Sequence, residues 1–254
     1  MQISAIARIT FRLYLKALVV AFRQTLKSWK IILLQALGLL PLAVLPFLLK
    51  PVGGLVASVI LGLSLTYYLS YYLVLIRHGL EGEKIDKESL ISETNQLFSP
   101  AISVMFFVFV VNFTFGFLGS SFFKAVIGIL MAVFLNPLPE VLYARSSSLL
   151  DMLSDSFQFI RENGVEWFIP TLIPFLIFVG PSPDILFQVL SFSPVTNLKY
   201  AFFYLSQGLL SPAFIFILVL VLYIMFFLMI FRGVLFQSLL TGRRNRLYRD
   251  KMSS

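Results

Sequence analysis

The chain has 254 residues, of which 59% are hydrophobic and 13% charged, with no cysteine and a single histidine, His78. A soluble domain carries roughly 25% charged residues. The cysteine count excludes disulfides, thiolate metal sites and a cysteine nucleophile, and one histidine argues against a histidine-based zinc site within one chain. The formal net charge of +8 reads as the positive-inside bias of a membrane protein rather than as nucleic-acid binding.

Long apolar runs set the class as an all-α polytopic membrane protein. Lipid offers no partner for backbone amides, and the strict alternation of a barrel strand is absent, so the spans are helices. The polar stretches reach only about twenty residues, which leaves one membrane domain over 1–254 and no separate soluble domain.

Residues 1–30 place Arg8, Arg12, Lys16, Arg23, Lys27 and Lys30 on one arc of a helix. Phe11, Leu15, Leu18, Phe22 and Trp29 occupy another side, so the helix suits the headgroup region of an anionic leaflet. A cleaved organelle-targeting peptide would share the basic, acid-free composition. Serine is scarce here, however, and no cleavage-like site precedes the first span.

Span 1, Ile31 to Leu49, carries Pro41 and Pro46, so a kink is expected. Lys50-Pro-Val-Gly-Gly54 is a turn into span 2, Leu55 to Ile76; these form the hairpin 31–76. Span 2 contains Tyr67, Tyr68, Tyr71 and Tyr72. Tyr67 shares a face with Tyr71, and Tyr68 with Tyr72. Their hydroxyls form either a polar seam suited to a substrate groove or ordinary interhelical packing with an aromatic belt.

Asp86 is a predicted N-cap for a short interfacial helix, with Leu90, Ile91, Thr94, Leu97 and Phe98 on its apolar face. Span 3, Pro100 to Leu118, turns at Gly119 into span 4, Phe122 to Leu135, extended to Ala144. Together they form unit 86–144. Within it, Asn136-Pro-Leu-Pro-Glu140 lacks two backbone donors, at Pro137 and Pro139. The helix is expected to break there and free carbonyls for other partners.

A third interfacial helix is expected over Ser146 to Asn163. Leu149, Met152, Leu153, Phe157 and Ile160 line one face, opposite Asp151, Asp155, Arg161 and Glu162. Its acids point to docking on the bundle or a partner rather than on anionic lipid. Span 5, Glu166 to Gly180, holds Pro170 and Pro174 and is short for a bilayer core of roughly 30 Å. The segment 181–211 is Phe- and Leu-rich yet broken by prolines; it contacts lipid or a partner, or caps the bundle. Span 6, Pro212 to Phe236, completes unit 146–240, and 241–254 is a basic tail.

With both termini cytoplasmic, six spans place 17 Lys/Arg inside and leave Lys50, Lys124 and Lys199 outside. That asymmetry fits the positive-inside rule. Each unit is an interfacial helix followed by a hairpin, a threefold pseudo-repeat of hydropathy rather than of residues.

The basic first helix, Gly82-Glu-Lys84 before span 3, Pro139-Glu-Val141, and Leu149-Leu-Asp-Met-Leu-Ser-Asp-Ser156 together resemble a known pattern. It is that of the six-span membrane domain of glycerophosphodiester phosphodiesterases and its YciC-like bacterial relatives. The resemblance covers nearly the whole chain and implies a bacterial inner-membrane protein. The soluble catalytic domain of that group has no counterpart here, so no hydrolase activity is implied.

For a site, the charged residues near the membrane are Glu140, Arg145, Glu166 and Arg232. Glu140 beside the proline break is the first candidate, with Arg145 or Arg232 as its partner. Asn136, Glu140, Arg145 and Arg232 form either a cytoplasmic gate or ion site, or an ion pair that pins the elbow while Arg232 snorkels to the headgroups. No residue set for catalysis, metal or cofactor is apparent. The expected function is a non-enzymatic subunit or scaffold of an envelope complex, in contact with the phospholipid bilayer and other membrane subunits, of the kind that handles lipid or envelope material. The alternative is a small transporter or channel gated at helix 4.

Overall fold

The computed structural model describes residues 2–52, 54–82, 85–116, 121–144, 148–178 and 212–241. Arg145, the turn at Gly119, the segment 181–211 and the tail from 242 onward lie outside the described residues. Among those described, the fold is all-α. Its helices are α1 (Gln2–Lys27), α2 (Trp29–Leu49), α3 (Gly54–Glu81), α4 (Lys87–Gly116), α5 (Ser121–Phe134), α6 (Leu138–Ala144), α7 (Leu149–Phe178) and α8 (Pro212–Leu240).

Among the described residues, five helical segments are long and apolar enough to cross a membrane: Trp29–Leu49, Gly54–Glu81, Lys87–Val111, Val126–Ala144 and Val219–Leu240. At 1.5 Å per residue, 21 residues in α2 reach about 31 Å, the thickness of a hydrocarbon core. The predicted span 5 is not among the five; its residues to Phe178 are the second half of α7.

Three sequence expectations about boundaries change. First, the basic helix ends at Lys27, and Lys30 lies in the first turn of α2. Ser28 sits between them at φ −98°, ψ 23°, so the chain bends there. Second, the interfacial helix at Asp86 and span 3 are one helix, α4. The Asp86 carboxylate does cap it, accepting from the amides of Glu88 and Ser89 at 3.2 and 3.3 Å. The helix then runs on because Leu90, Thr94, Leu97 and Ala101 are one buried stripe at helical spacing, crossing from the polar to the apolar half without a change of face.

Third, α7 likewise joins the third interfacial helix to span 5. It starts at a Ser148 cap, whose hydroxyl accepts from the Asp151 amide and donates to the Asp151 carboxylate at 2.7 Å. Its buried stripe is Met152, Ser156, Phe159, Ile160 and Trp167, while Phe157 of the expected apolar face is exposed. The stripe continues past Asn163 to Trp167, so nothing in the packing favours a break.

The C-terminal half of α3 is the axis of the core. Tyr72 to Ile76 are buried on every side, with α4 and α2 the main neighbours and α6 and α8 closing the ring. Apolar burial offers little drive for helix association in lipid, so close van der Waals approach has to supply it, and small residues permit that. A Cβ on Gly79 would lie 2.9 Å from Phe226 and Ile230, and one on Gly233 would lie 2.5 Å from Leu80. Gly79 thus admits the Phe226 and Ile230 side chains of α8 to the backbone of α3, and Gly233 admits the Leu80 side chain of α3 to the backbone of α8. The opposite ends of α2 and α3 expose Val44, Phe47, Leu48, Leu55 and Val59, as lipid-facing helices do.

α1 lies mainly against α8. It presents the small stripe Ala17, Ala21 and Thr25, all buried. Tyr14 donates to the Glu166 carbonyl of α7 at 2.9 Å, and Gln24 donates to the Leu80 carbonyl at the end of α3 at 2.7 Å. The helix therefore crosses three neighbours at the tightly packed end of the bundle.

Candidate functional site

The break between α5 and α6 follows from the prolines. Leu135 to Pro137 form a turn, and Pro137 has no amide to continue the ladder. Donors for the exposed carbonyls come from other helices. The Ser156 hydroxyl of α7 donates to the Phe134 carbonyl, and Arg232 Nη2 donates to the Asn136 carbonyl at 2.8 Å.

Glu140 stands in the first turn of α6, and its side chain is completely buried. Both its oxygens accept from Arg232 of α8, Oε1 from Nε at 2.6 Å and Oε2 from Nη2 at 3.0 Å. This fork-to-fork geometry is the strongest form of the pair. Arg232 Nη1 donates to Asn136 Oδ1 at 3.1 Å, and the same oxygen accepts from the Trp167 indole of α7 at 2.8 Å. The Trp167 ring also lies under the guanidinium, 4.6 Å from its centroid, a cation–π contact made stronger by the dry surroundings.

The node thus ties α6, α7, α8 and the turn after α5 through one cation. Of the four residues expected together, the structure brings together Asn136, Glu140 and Arg232. Arg232 does not snorkel to the headgroups: it is 5% exposed and turned inward. The reason is the carboxylate and carbonyl held ready at the elbow, which compensate a buried charge that water would otherwise have to solvate. Trp167 is absent from the set that the sequence suggests. Its position seven residues beyond Ile160, on the extended stripe of α7, is the signal that places it inward.

The four tyrosines do not form a common seam. Tyr71 donates to the Leu34 carbonyl at 2.9 Å and Tyr68 to the Gln35 carbonyl at 3.4 Å, both on α2. Tyr67 faces the other way, donating to Asn95 of α4 at 3.2 Å. Tyr72 stacks on Tyr68 with centroids 6.4 Å apart and is wholly buried, its hydroxyl without a partner among the described residues. Gly38 makes the α2–α3 approach possible, since a Cβ there would be 2.7 Å from the Tyr71 ring.

A second polar cluster, also outside that set, joins α3 to α4. Arg77 pairs with Glu93, and His78 Nε2 lies 3.1 Å from the same carboxylate oxygen. Beside it is a pocket of about 390 Å³ bordered by Tyr143 of α6 and Gln237 of α8. No sequence periodicity announces this cluster, because Arg77 and Glu93 come from different helices across a turn.

Of the expected headgroup residues, Arg8, Arg12, Lys16, Arg23 and Lys27 lie on α1 and Lys30 on α2, where its ammonium is 6.0 Å from the Trp29 ring. Arg12, Lys16, Arg23, Lys27 and Lys30 are exposed, as are Phe11, Leu15, Leu18, Phe22 and Trp29. Comparison with protein-family models, curated proteins and solved structures gives no match.

Proposed function

We propose that this chain is a non-enzymatic integral subunit of a bacterial cytoplasmic-membrane complex, a scaffold for partner subunits that handle lipid or envelope material. It has six spans and both termini in the cytoplasm. The 17 to 3 division of Lys/Arg supports termini on one side, and five spans alone would put them on opposite sides. α7 supplies the sixth crossing: its 30 residues reach about 45 Å, enough for an acidic cytoplasmic half and an apolar membrane half. The relation to the membrane domain of glycerophosphodiester phosphodiesterases and YciC-like proteins belongs to this same proposal.

The observation that carries the reading is the state of the elbow. Glu140 has both oxygens committed to Arg232, and Arg232 has its donors committed to Glu140 and Asn136. The charged residue best placed for chemistry or gating is spent on clamping three helices and the turn after α5. The test is purification in a mild detergent or native nanodisc with mass spectrometry of what co-purifies. Stoichiometric membrane subunits are expected; a homogeneous chain that carries solute across liposomes would overturn the proposal.

The second reading, a transporter or channel, draws on the break between α5 and α6. Arg232 then occupies the place of a transported cation among freed acceptors, and opening would require the pair to separate. Glu140→Gln would abolish flux there while leaving a folded protein.

A further inference from the structure

The pocket at the ends of α3, α6 and α8 has a lining of mixed sign. Arg77, Glu81, Glu93, Tyr143 and Gln237 border it over an apolar floor at Leu80. Its volume of about 390 Å³ falls in the range of small-molecule sites. Within the protein Arg77 uses one guanidinium nitrogen, Nη2, on Glu93 Oε2, which leaves donors of its five to face the pocket. Glu81 and Gln237 are exposed. The Tyr143 hydroxyl is buried and has no partner among the described residues; a buried hydroxyl left so is costly, and the residue borders this space.

The charges select the ligand. Two carboxylates against one guanidinium repel a simple anion, and a simple cation would leave Arg77 unused. A group carrying phosphate and ammonium a few atoms apart satisfies both. A primary ammonium brings three donors for Glu81 and Glu93, whereas a quaternary one brings none.

We propose that this pocket binds the headgroup of an aminophospholipid of the phosphoethanolamine type. Its phosphate lies on Arg77, its ammonium lies between Glu81 and Glu93, and Tyr143 and Gln237 complete the polar shell. The proposal rests on the membrane placement above, which sets these helix ends at the cytoplasmic headgroup level, and it names the lipid that the scaffold reading left open.

The test is native mass spectrometry of the full chain, delipidated and then titrated with phosphatidylethanolamine, phosphatidylcholine or phosphatidylglycerol of identical acyl chains. Soluble glycerophosphoethanolamine is added as a competitor. Phosphatidylethanolamine is expected to be retained about tenfold better than the other two, the worth of one charge-assisted hydrogen bond. The soluble headgroup should compete only weakly, because it lacks the membrane's contribution.

Glu81→Gln and Gln237→Leu, both at exposed positions, should erase most of the preference. Tyr143→Phe should lower it without lowering the thermal stability of the lipid-free protein. Equal retention of the three lipids, or a preference that survives all three variants, overturns the site. Preference for phosphatidylglycerol also overturns it and assigns lipid binding to the basic helix α1. Lipid preference and partner co-purification are separate readouts, so partners without preference sinks only the headgroup site, and preference without partners sinks only the scaffold reading.

Discussion

Replacing Glu140 with leucine removes the two contacts to Arg232 at 2.6 and 3.0 Å. Arg232 keeps Asn136 and the Trp167 face, yet its charge remains in a site 5% exposed and has lost the Glu140 carboxylate. Breaking one side of a buried pair costs about 3–5 kcal/mol. The retained Asn136 acceptors put Glu140→Leu near the lower end, about 3 kcal/mol. Arg232→Leu strands a fully buried carboxylate whose hydrogen bonds all go to Arg232, so about 5 kcal/mol is expected.

The double variant carries neither charge and should cost well under the sum. A coupling of about 2–3 kcal/mol is therefore expected between the two sites. The assay is reversible unfolding in mixed micelles with sodium dodecyl sulfate, followed by Trp167 fluorescence in a Trp29→Phe background. Additive single effects, with coupling below about 0.5 kcal/mol, would refute the reasoning, as would a Glu140→Leu variant as stable as the parent.

Gly233→Ala puts a Cβ 2.5 Å from Leu80 and 2.6 Å from the Tyr143 hydroxyl; a loss of about 1–3 kcal/mol is expected from overpacking. Gly62→Ala, where a Cβ meets no described residue within 4 Å, should be neutral or slightly stabilising, and the same unfolding assay compares the two. Tyr71→Phe deletes the bond to the Leu34 carbonyl and should cost about 1 kcal/mol. In a Trp167→Phe protein, Trp29 is the only tryptophan left of two. Brominated anionic lipid should quench it more than brominated zwitterionic lipid, and Lys27→Glu with Lys30→Glu should remove the difference.

The elbow at Asn136–Glu140 is legible in the sequence because proline lacks a donor wherever it stands. The Asp86 cap is legible because a carboxylate ahead of an apolar periodic run has amides to accept from. The candidate partners of Glu140 are also legible, since a buried carboxylate near a membrane demands a cation. Choosing Arg232 over Arg145 is not, because it depends on how α8 crosses α6. The continuity of α4 and α7 stays hidden for a different reason: a change from polar to apolar composition marks the membrane boundary, not an end of hydrogen bonding. Ile160 and Trp167 carry the α7 stripe across that boundary. The orientation of the tyrosines depends on Gly38 admitting two rings to the α2 backbone, a contact between helices that no single-helix periodicity encodes.

The absence of cysteine makes the decisive measurement clean, because each introduced cysteine is the only one. Single cysteines at Ser4 and Ser253 are to be labelled in intact cells with a membrane-impermeant maleimide, then again after permeabilisation. Six spans require both positions to be protected until the membrane is opened. Labelling of one terminus but not the other in intact cells would mean an odd number of crossings, and would contradict the crossing assigned to α7 and the architecture built on it.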